Sequence, residues 1–159
     1  MATKLKSSAK DLYEADFYVW AQRQAEALRA GRLDELDLAN LAEEVEGLAT
    51  ALESAVRSRT RTIIEHLLKL QFSLAVEPRN GWRATVRVQR RDLEDDLTPA
   101  LRRSLEQSLA DLYARIRNDL AATMRDYGEH EAAQALPRRC PYRLEDILGD
   151  WFPEQPHER

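Results

Sequence analysis

The chain has 159 residues, of which 43% are hydrophobic and 33% are charged, and its formal net charge is −4. This length suits one domain, while five glycines and few β-branched runs leave little room for a sheet. The small net charge gives no general attraction to nucleic acid or anionic lipid, and the single cysteine, Cys140, excludes a disulfide framework and a cysteine-based zinc site.

No segment of the chain has the composition of a membrane span or of a secretory signal. The apolar runs are too short for a transmembrane helix, and residues 1–10 contain three lysines but no hydrophobic core. We therefore expect a cytoplasmic protein with no membrane partner. Residues 1–10 are predicted to form a flexible basic arm, residues 11–153 a single helical domain, and residues 154–159 a frayed tail.

The first predicted helix has an aromatic-rich face formed by Tyr13, Phe17 and Trp20. Asp11 has the side chain of a helix N-cap, and Gly31 suits the end of the same helix. The sequence therefore predicts one continuous helix from Asp11 to Gly31.

The longest predicted helix runs from residue 37 to residue 76. Its apolar residues recur at steps of three or four, with Thr60 filling the one gap, which is the spacing of one helical face. Gly47 is the predicted position of a kink or of close packing, and Pro78 is predicted to end the helix because the residue before a proline avoids helical angles. The apolar stripe consists of Leu41, Val45, Leu48, Leu52, Val56, Ile63, Leu67, Leu70 and Leu74.

Two more long helices follow. Asn80 is the predicted cap of the third helix, and Thr98 followed by Pro99 is typical of a helix start. This fourth helix is predicted to end at Gly128. An apolar cluster within residues 144–152 is too short to fold alone and is predicted to pack onto the helices.

These elements predict an all-α fold, a single bundle of four main helices around the long one, with short helical pieces at the C-terminal end. Short loops between long helices place neighbours antiparallel. We expect the first helix to cover the N-terminal half of the long helix and the third to cover its C-terminal half, with the fourth closing the bundle. Trp20, Trp82 and Trp151 are predicted to anchor the core.

Six stretches form a specific set of motifs: residues 13–20, 36–46, 66–69, 82–86, 89–91 and 140–142. Together they resemble domain-of-unknown-function family 29, a bacterial and especially cyanobacterial family. Leu70 and the pair Asn80 and Gly81 depart from the pattern of that family. The resemblance implies an all-α fold and no assigned activity, so it transfers no catalytic residues.

Arg83, Arg87, Arg90 and Arg91 fall at spacings that place them on one face of the third helix. Such a face is suited to phosphate contacts along a nucleic acid. The same spacing suits ion pairs with acidic residues of the antiparallel neighbour. The sequence leaves both alternatives open for these four candidate binding residues.

Glu43, Glu44 and His66 form a candidate polar site on the long helix. Carboxylates can act as acid and base when their environments differ, and histidine can act as a base or a metal ligand. The favoured alternative is a solvated acidic face and a partly buried histidine that is hydrogen-bonded across the bundle. Paired metal-ligand spacings, glycine-rich phosphate loops and catalytic triad motifs are missing, so we assign no catalytic residues, cofactor or metal.

Three functional hypotheses follow. The first is a non-enzymatic helical protein that acts through helix faces, binding another protein or a second copy of itself. The second is a nucleic-acid-binding accessory protein that uses the arginine face. The third and least favoured is an uncatalogued hydrolase or nuclease with a Glu/His site.

Charge along the chain predicts how copies would pair. Residues 33–56 contain seven acidic residues and no lysine or arginine, whereas residues 57–91 contain nine basic residues and two acidic ones. A two-fold dimer with antiparallel long helices would bring each acidic end onto the arginine face of the other copy. Exposed ion pairs are weak, so apolar contacts would supply most of the affinity.

Overall fold

Helices make up most of the described chain. The structure is a computed structural model that describes residues 9–154, and within this range it has seven α-helices, one 3-10 helix and no strand. Four of the helices are long, which confirms the all-α prediction. The elements are α1 (Ala9–Ala15), α2 (Phe17–Ala30), a 3-10 helix (Leu33–Glu35), α3 (Leu38–Phe72), α4 (Arg79–Asp96), α5 (Pro99–Asp126), α6 (His130–Ala135) and α7 (Leu144–Leu148).

The chain divides into two compact units, Met1–Ala51 and Leu52–Arg159. The first contains α1, α2 and the beginning of α3, and the second contains the rest of α3 with α4 to α7. None of the described helices is both long enough and apolar enough to span a membrane. The predictions for residues 1–8 of the basic arm and for residues 155–159 of the tail lie outside the described residues.

Asp16 divides the first predicted helix in two, so the prediction of one continuous helix was wrong. The carboxylate of Asp16 accepts a hydrogen bond from the Val19 backbone N–H at 3.1 Å and caps α2, and Asp11 lies inside α1 rather than before it. A side-chain cap of this kind satisfies a backbone group that would otherwise lack a partner, which favours a new helix start at this point. The predicted end is confirmed, because Gly31 adopts a positive φ of 68° after α2.

A small polar network fixes the beginning of α3 in the first unit. The indole N–H of Trp20 donates to Asp37 at 3.3 Å, and the backbone N–H of Asp37 donates to the Gln24 side chain at 2.8 Å. The Asp37 carboxylate also accepts from the backbone and side-chain amides of Asn40. These bonds make Asp37 the cap of α3, so the helix begins at Leu38, one residue after its predicted start.

The end of α3 differs from the prediction, because the helix stops at Phe72 rather than near residue 76. The buried guanidinium of Arg79 donates to the backbone carbonyls of Leu70 and Ser73, and the Ser73 hydroxyl accepts from the Ala75 N–H at 3.2 Å. These contacts satisfy the carbonyl and amide groups that a longer helix would have paired internally. The helix therefore ends before Pro78 is reached.

The predicted cap of α4 was also wrong. This helix begins at Arg79, and Asn80 is an exposed residue within its first turn. The start of α5 is confirmed, since the Thr98 hydroxyl accepts from the Leu101 N–H at 3.3 Å and Pro99 is the first helical residue. A proline at this position costs no hydrogen bond, because its missing N–H would have had no partner.

The core of the second unit is built from all five of its helical segments. Val56, Ile63 and Leu67 of α3 are almost fully buried, as the apolar stripe predicted. They join one cluster with residues of α4, α5, α6 and α7. Burial of apolar area on this scale is the main stabilising contribution to such a unit.

The three tryptophans differ in burial. Trp20 is buried in the first unit, as predicted, and packs edge-on against Tyr13 with ring centroids 4.8 Å apart. Trp82 is only partly buried. Trp151 is 44% exposed and lies against the Tyr142 ring at 5.7 Å, so the prediction that it anchors the core was wrong.

Candidate functional site

An exposed apolar stripe runs along the part of α3 that belongs to the first unit. Leu38, Leu41, Val45 and Leu48 follow each other at steps of three, four and three residues. This is the spacing of the apolar positions in a helix that pairs with another helix. We call the exposed members of this stripe and the alanines beside them the apolar seam: Leu38, Ala42, Val45, Leu48 and Ala49.

The seam side chains face solvent although their pattern predicted a covered face. Leu38 is 68% exposed, Val45 63% and Leu48 66%, while Leu41 is partly buried. The expectation that the first helix covers this part of the long helix was therefore wrong at these positions. Single exposed apolar residues are common, but a contiguous row of them marks an interaction surface.

A tyrosine of α1 is hydrogen-bonded to α3 at one edge of the apolar seam. The Tyr13 hydroxyl donates to the Glu44 carboxylate at 2.6 Å within the first unit. This hydrogen bond to a carboxylate raises the pKa of Tyr13 to about 12, because the bond is lost when the phenol ionises. Glu44 is therefore engaged in positioning α1 against α3, and the neighbouring Glu43 is exposed.

The structure does not bring the predicted polar site together within one unit. Glu43 and Glu44 belong to the first unit and His66 to the second. The ring Nδ1 of His66 donates to the Thr62 carbonyl at 2.8 Å, so the expected hydrogen bond across the bundle is instead made within α3. Among residues 9–154 no group of His, Cys, Asp and Glu side chains has the arrangement of a metal site.

Arg90, one of the four predicted binding arginines, is 8% exposed and holds the C-terminal segment. Its Nε donates to the Ile147 carbonyl at 2.9 Å, and its Nη2 donates to the carbonyls of Asp146 and Trp151, each at 2.8 Å. Burial lowers the pKa of Arg90 because it penalises the charged form. Sequence spacing alone gave no sign of this structural role.

Three of these arginines surround one aromatic ring. The guanidinium carbons of Arg83, Arg87 and Arg90 lie 4.9, 5.5 and 4.9 Å from the centroid of the Phe152 ring. A ring face attracts cations at these distances. Arg91 is exposed, and within the described residues none of the four arginines forms an ion pair with a carboxylate.

The second unit has a cavity of about 300 Å³ that the sequence did not predict. It opens beside the end of α3, the start of α4 and the last turns of α5. Glu129 is among its lining residues and follows Gly128, which was expected to end α5. Pro78 and Trp82 also line it, but the sequence pointed to a helix end and a core anchor at these positions rather than to a cavity. The lining residues are Lys69, Ser73, Ala75, Pro78, Trp82, Leu120, Thr123, Met124, Tyr127 and Glu129.

The fold and these surfaces define an all-α protein with an exposed helical seam. Its sequence matches the family described as Domain of unknown function DUF29 over residues 12–152, and the chain belongs to that family. No curated protein and no solved structure matches the chain. The match confirms the family resemblance of the sequence, and the function of the protein is unknown.

Proposed function

We propose that this protein is a non-enzymatic helical interaction protein that self-associates through the apolar seam. The observation that carries the proposal is the exposure of Leu38, Val45 and Leu48 at heptad spacing on a well-formed helix. Burying each such side chain contributes about 1.5–3 kcal/mol, so a pair of seams offers a substantial driving force.

A second copy of the chain is the occupant that the seam fits best. Charged residues beside a helical seam usually select the partner, but here one flank carries Ala42 and Ala49. Glu44, on the other flank, is already hydrogen-bonded to Tyr13. A two-fold pair uses the same patch twice and therefore needs no complementary charges.

Charge favours an antiparallel arrangement of the two α3 helices. Asp34, Glu35 and Asp37 lie at or just before the start of α3. In a parallel pair these carboxylates of both copies would lie side by side, and like charges at close range are unfavourable. In an antiparallel pair they lie at opposite ends. This seam-to-seam pair differs from the arrangement expected from charge along the sequence, because it does not bring the acidic end onto the arginine face of the other copy.

The test is the mass of the full chain in solution, measured by sedimentation equilibrium at micromolar concentration. We expect a dimer that persists at high salt, because apolar contacts depend weakly on ionic strength. The double variant Val45→Glu and Leu48→Glu should be monomeric, since four carboxylates would enter the paired seam. These positions are exposed, so the helical content of the variant should equal that of the wild type.

The matched control is the double variant Glu43→Gln and Thr50→Gln, which changes exposed residues on the opposite face of α3. It should remain a dimer. A wild-type monomer at micromolar concentration, or equal dimerisation of the seam variant, rules out self-association. If the wild type is a monomer but binds a different protein through the seam residues, the proposed interaction function holds and its partner is that protein.

Nucleic-acid binding is the second candidate, and one observation favours it. Arg83, Arg87 and Arg91 have no carboxylate partner within ion-pair distance among the described residues, so internal ion pairs do not account for the arginine face. Phosphates of a nucleic acid would supply the missing negative charge. The bacterial source implied by the family resemblance and the cytoplasmic location expected from the sequence both stay predictions.

A further inference from the structure

The turn after α5 positions Glu129, which lines the cavity of the second unit. Gly128 has a positive φ of 81°, a conformation that suits glycine, and its N–H donates to the Arg125 carbonyl at 2.9 Å. The Glu129 N–H donates to the Met124 carbonyl at 2.8 Å. This pair of bonds is a common helix C-terminal motif, and it fixes the backbone from which the Glu129 side chain extends.

Glu129 has an oxygen with no partner. Its Oε2 is buried, and no donor within the described residues reaches it. A buried carboxylate oxygen without a hydrogen bond costs free energy, so its presence in a folded protein calls for an explanation. The other oxygen, Oε1, likewise accepts no hydrogen bond from a described residue. Because Glu129 lines the cavity, a donor bound there would meet this carboxylate.

The negative charge of Glu129 is not paired with a positive side chain among the described residues around the cavity. Lys69 also lines the cavity, but its ammonium group is paired with Glu65 at 2.6 Å. No ion pair joins Lys69 to Glu129 in the described part of the chain. The cavity therefore has one unpaired negative charge and favours a cation.

Apart from the hydroxyl side chains of Ser73 and Thr123, the rest of the lining is apolar or aromatic. Leu120 and Met124 of α5 are buried, and Ala75 and Pro78 come from the loop before α4. The Trp82 ring, which can attract a cation through its face, completes this part of the wall. A volume of about 300 Å³ is within the range of sites that hold small ligands.

We propose that this cavity binds a small amphipathic amine, with its ammonium group on the Glu129 carboxylate and its apolar body against Leu120, Met124 and Trp82. Binding of this kind joins a charge-assisted hydrogen bond to the burial of apolar surface. The site lies wholly in the second unit, so it is independent of the seam proposed for self-association.

The test is isothermal titration of the full chain with 2-phenylethylamine, compared with 2-phenylethanol, which has the same body without the charge. We expect the alcohol to bind about tenfold more weakly, because its hydroxyl lacks the positive charge that attracts the ammonium to the Glu129 carboxylate. Glu129→Gln should weaken the amine to a similar extent and leave the alcohol unchanged. Glu131→Gln, an exposed residue of α6 that does not line the cavity, is the control and should change neither.

Three outcomes overturn the proposal: no binding of the amine at millimolar concentration, equal binding of amine and alcohol, or an E129Q variant that binds the amine as the wild type does. Absence of amine binding would mean that water alone occupies the cavity. The comparison of amine with alcohol uses only the wild-type chain, so it decides the matter even if E129Q fails to fold.

Discussion

Two tyrosine hydroxyls of the second unit donate to acceptors far away in the sequence. Tyr113 donates to the Pro137 carbonyl at 2.7 Å, and Tyr142 donates to the Gln71 side chain at 2.8 Å. Both side chains are buried, so each hydroxyl needs its acceptor, and an ionised phenol in either place would be unfavourable. Burial raises the pKa of Tyr113 to about 12 from its ordinary value of 10.0.

Tyr113 therefore makes stability depend on pH in the alkaline range. Between about pH 10 and pH 12 the unfolded chain has released the phenolic proton and the native chain retains it, so the free energy of unfolding falls as pH rises. The contribution is fully present below about pH 10. Tyr113→Phe removes it, together with a hydrogen bond of about 1 kcal/mol.

The measurement is the free energy of unfolding in urea for the wild type and Tyr113→Phe, at a series of pH values from 8 to about 11. We expect the wild type to lose its advantage over the variant as pH rises above about 10. Tyr127→Phe is the control, because that side chain is 81% exposed and its removal leaves the core intact. A difference that stays constant with pH would contradict the assignment.

At the scale of elements, one arginine of α4 makes the hydrogen bonds that connect this helix to the C-terminal segment. Arg90 reaches three backbone carbonyls at the end of α7 and beyond it, and the Phe152 ring packs against its guanidinium. The last carbonyls of a helix have no partner within that helix, so a fixed donor nearby stabilises its end. The hydrogen bonds from Arg90 thus explain how α7, a helix of only five residues, is stabilised in its position.

Arg90→Gln should lower the free energy of unfolding by about 3 kcal/mol or more, because the shorter side chain cannot make the charged hydrogen bonds to buried carbonyls. Arg91→Gln is a matched control at the next position, where the side chain is exposed, and should change stability by less than about 0.5 kcal/mol. Urea unfolding of both variants gives the comparison. Equal stabilities would show that the segment is held by its apolar residues alone.

At the scale of the molecule, the two units differ in charge. Residues 1–51 contain ten acidic and six basic residues, while residues 52–159 contain 18 of each. The arginine face is therefore a local feature of a neutral unit, and any attraction to nucleic acid must come from this face rather than from net charge.

The nucleic-acid hypothesis predicts that the full chain binds mixed DNA or RNA at low salt and that its affinity falls steeply as salt is added. Arg87→Gln with Arg91→Gln should flatten the salt dependence by about 0.9 in the logarithmic slope for each phosphate that the variant no longer neutralises. Arg90 is left unchanged in this variant because its hydrogen bonds stabilise the fold. The control is Arg115→Gln with Arg125→Gln, two exposed residues of α5, which should leave the slope unchanged. No binding at low salt would end the hypothesis.

The chain illustrates which parts of a helical fold local sequence can predict. Of the helix ends predicted from one or two neighbouring residues, those at Gly31, Gly128, and Thr98 with Pro99 are confirmed, whereas the caps predicted at Asp11 and Asn80 were wrong. The helical period of α3 was equally clear. These features follow from backbone geometry and from hydrogen bonds within a single turn, so no distant residue can change them much.

Tertiary contacts decided the rest. The same apolar stripe is buried at Val56 and exposed at Val45, because burial depends on what packs against a helix and not on its own period. Arg90 differs from Arg91 only through carbonyls more than fifty residues away, and Glu129 comes to share a cavity with Lys69 only when α5 and α3 pack. The sequence by itself determined the helices and their family, whereas the packed structure decided which of their faces and charges remain free to act, since that choice rests on contacts between residues distant in the chain.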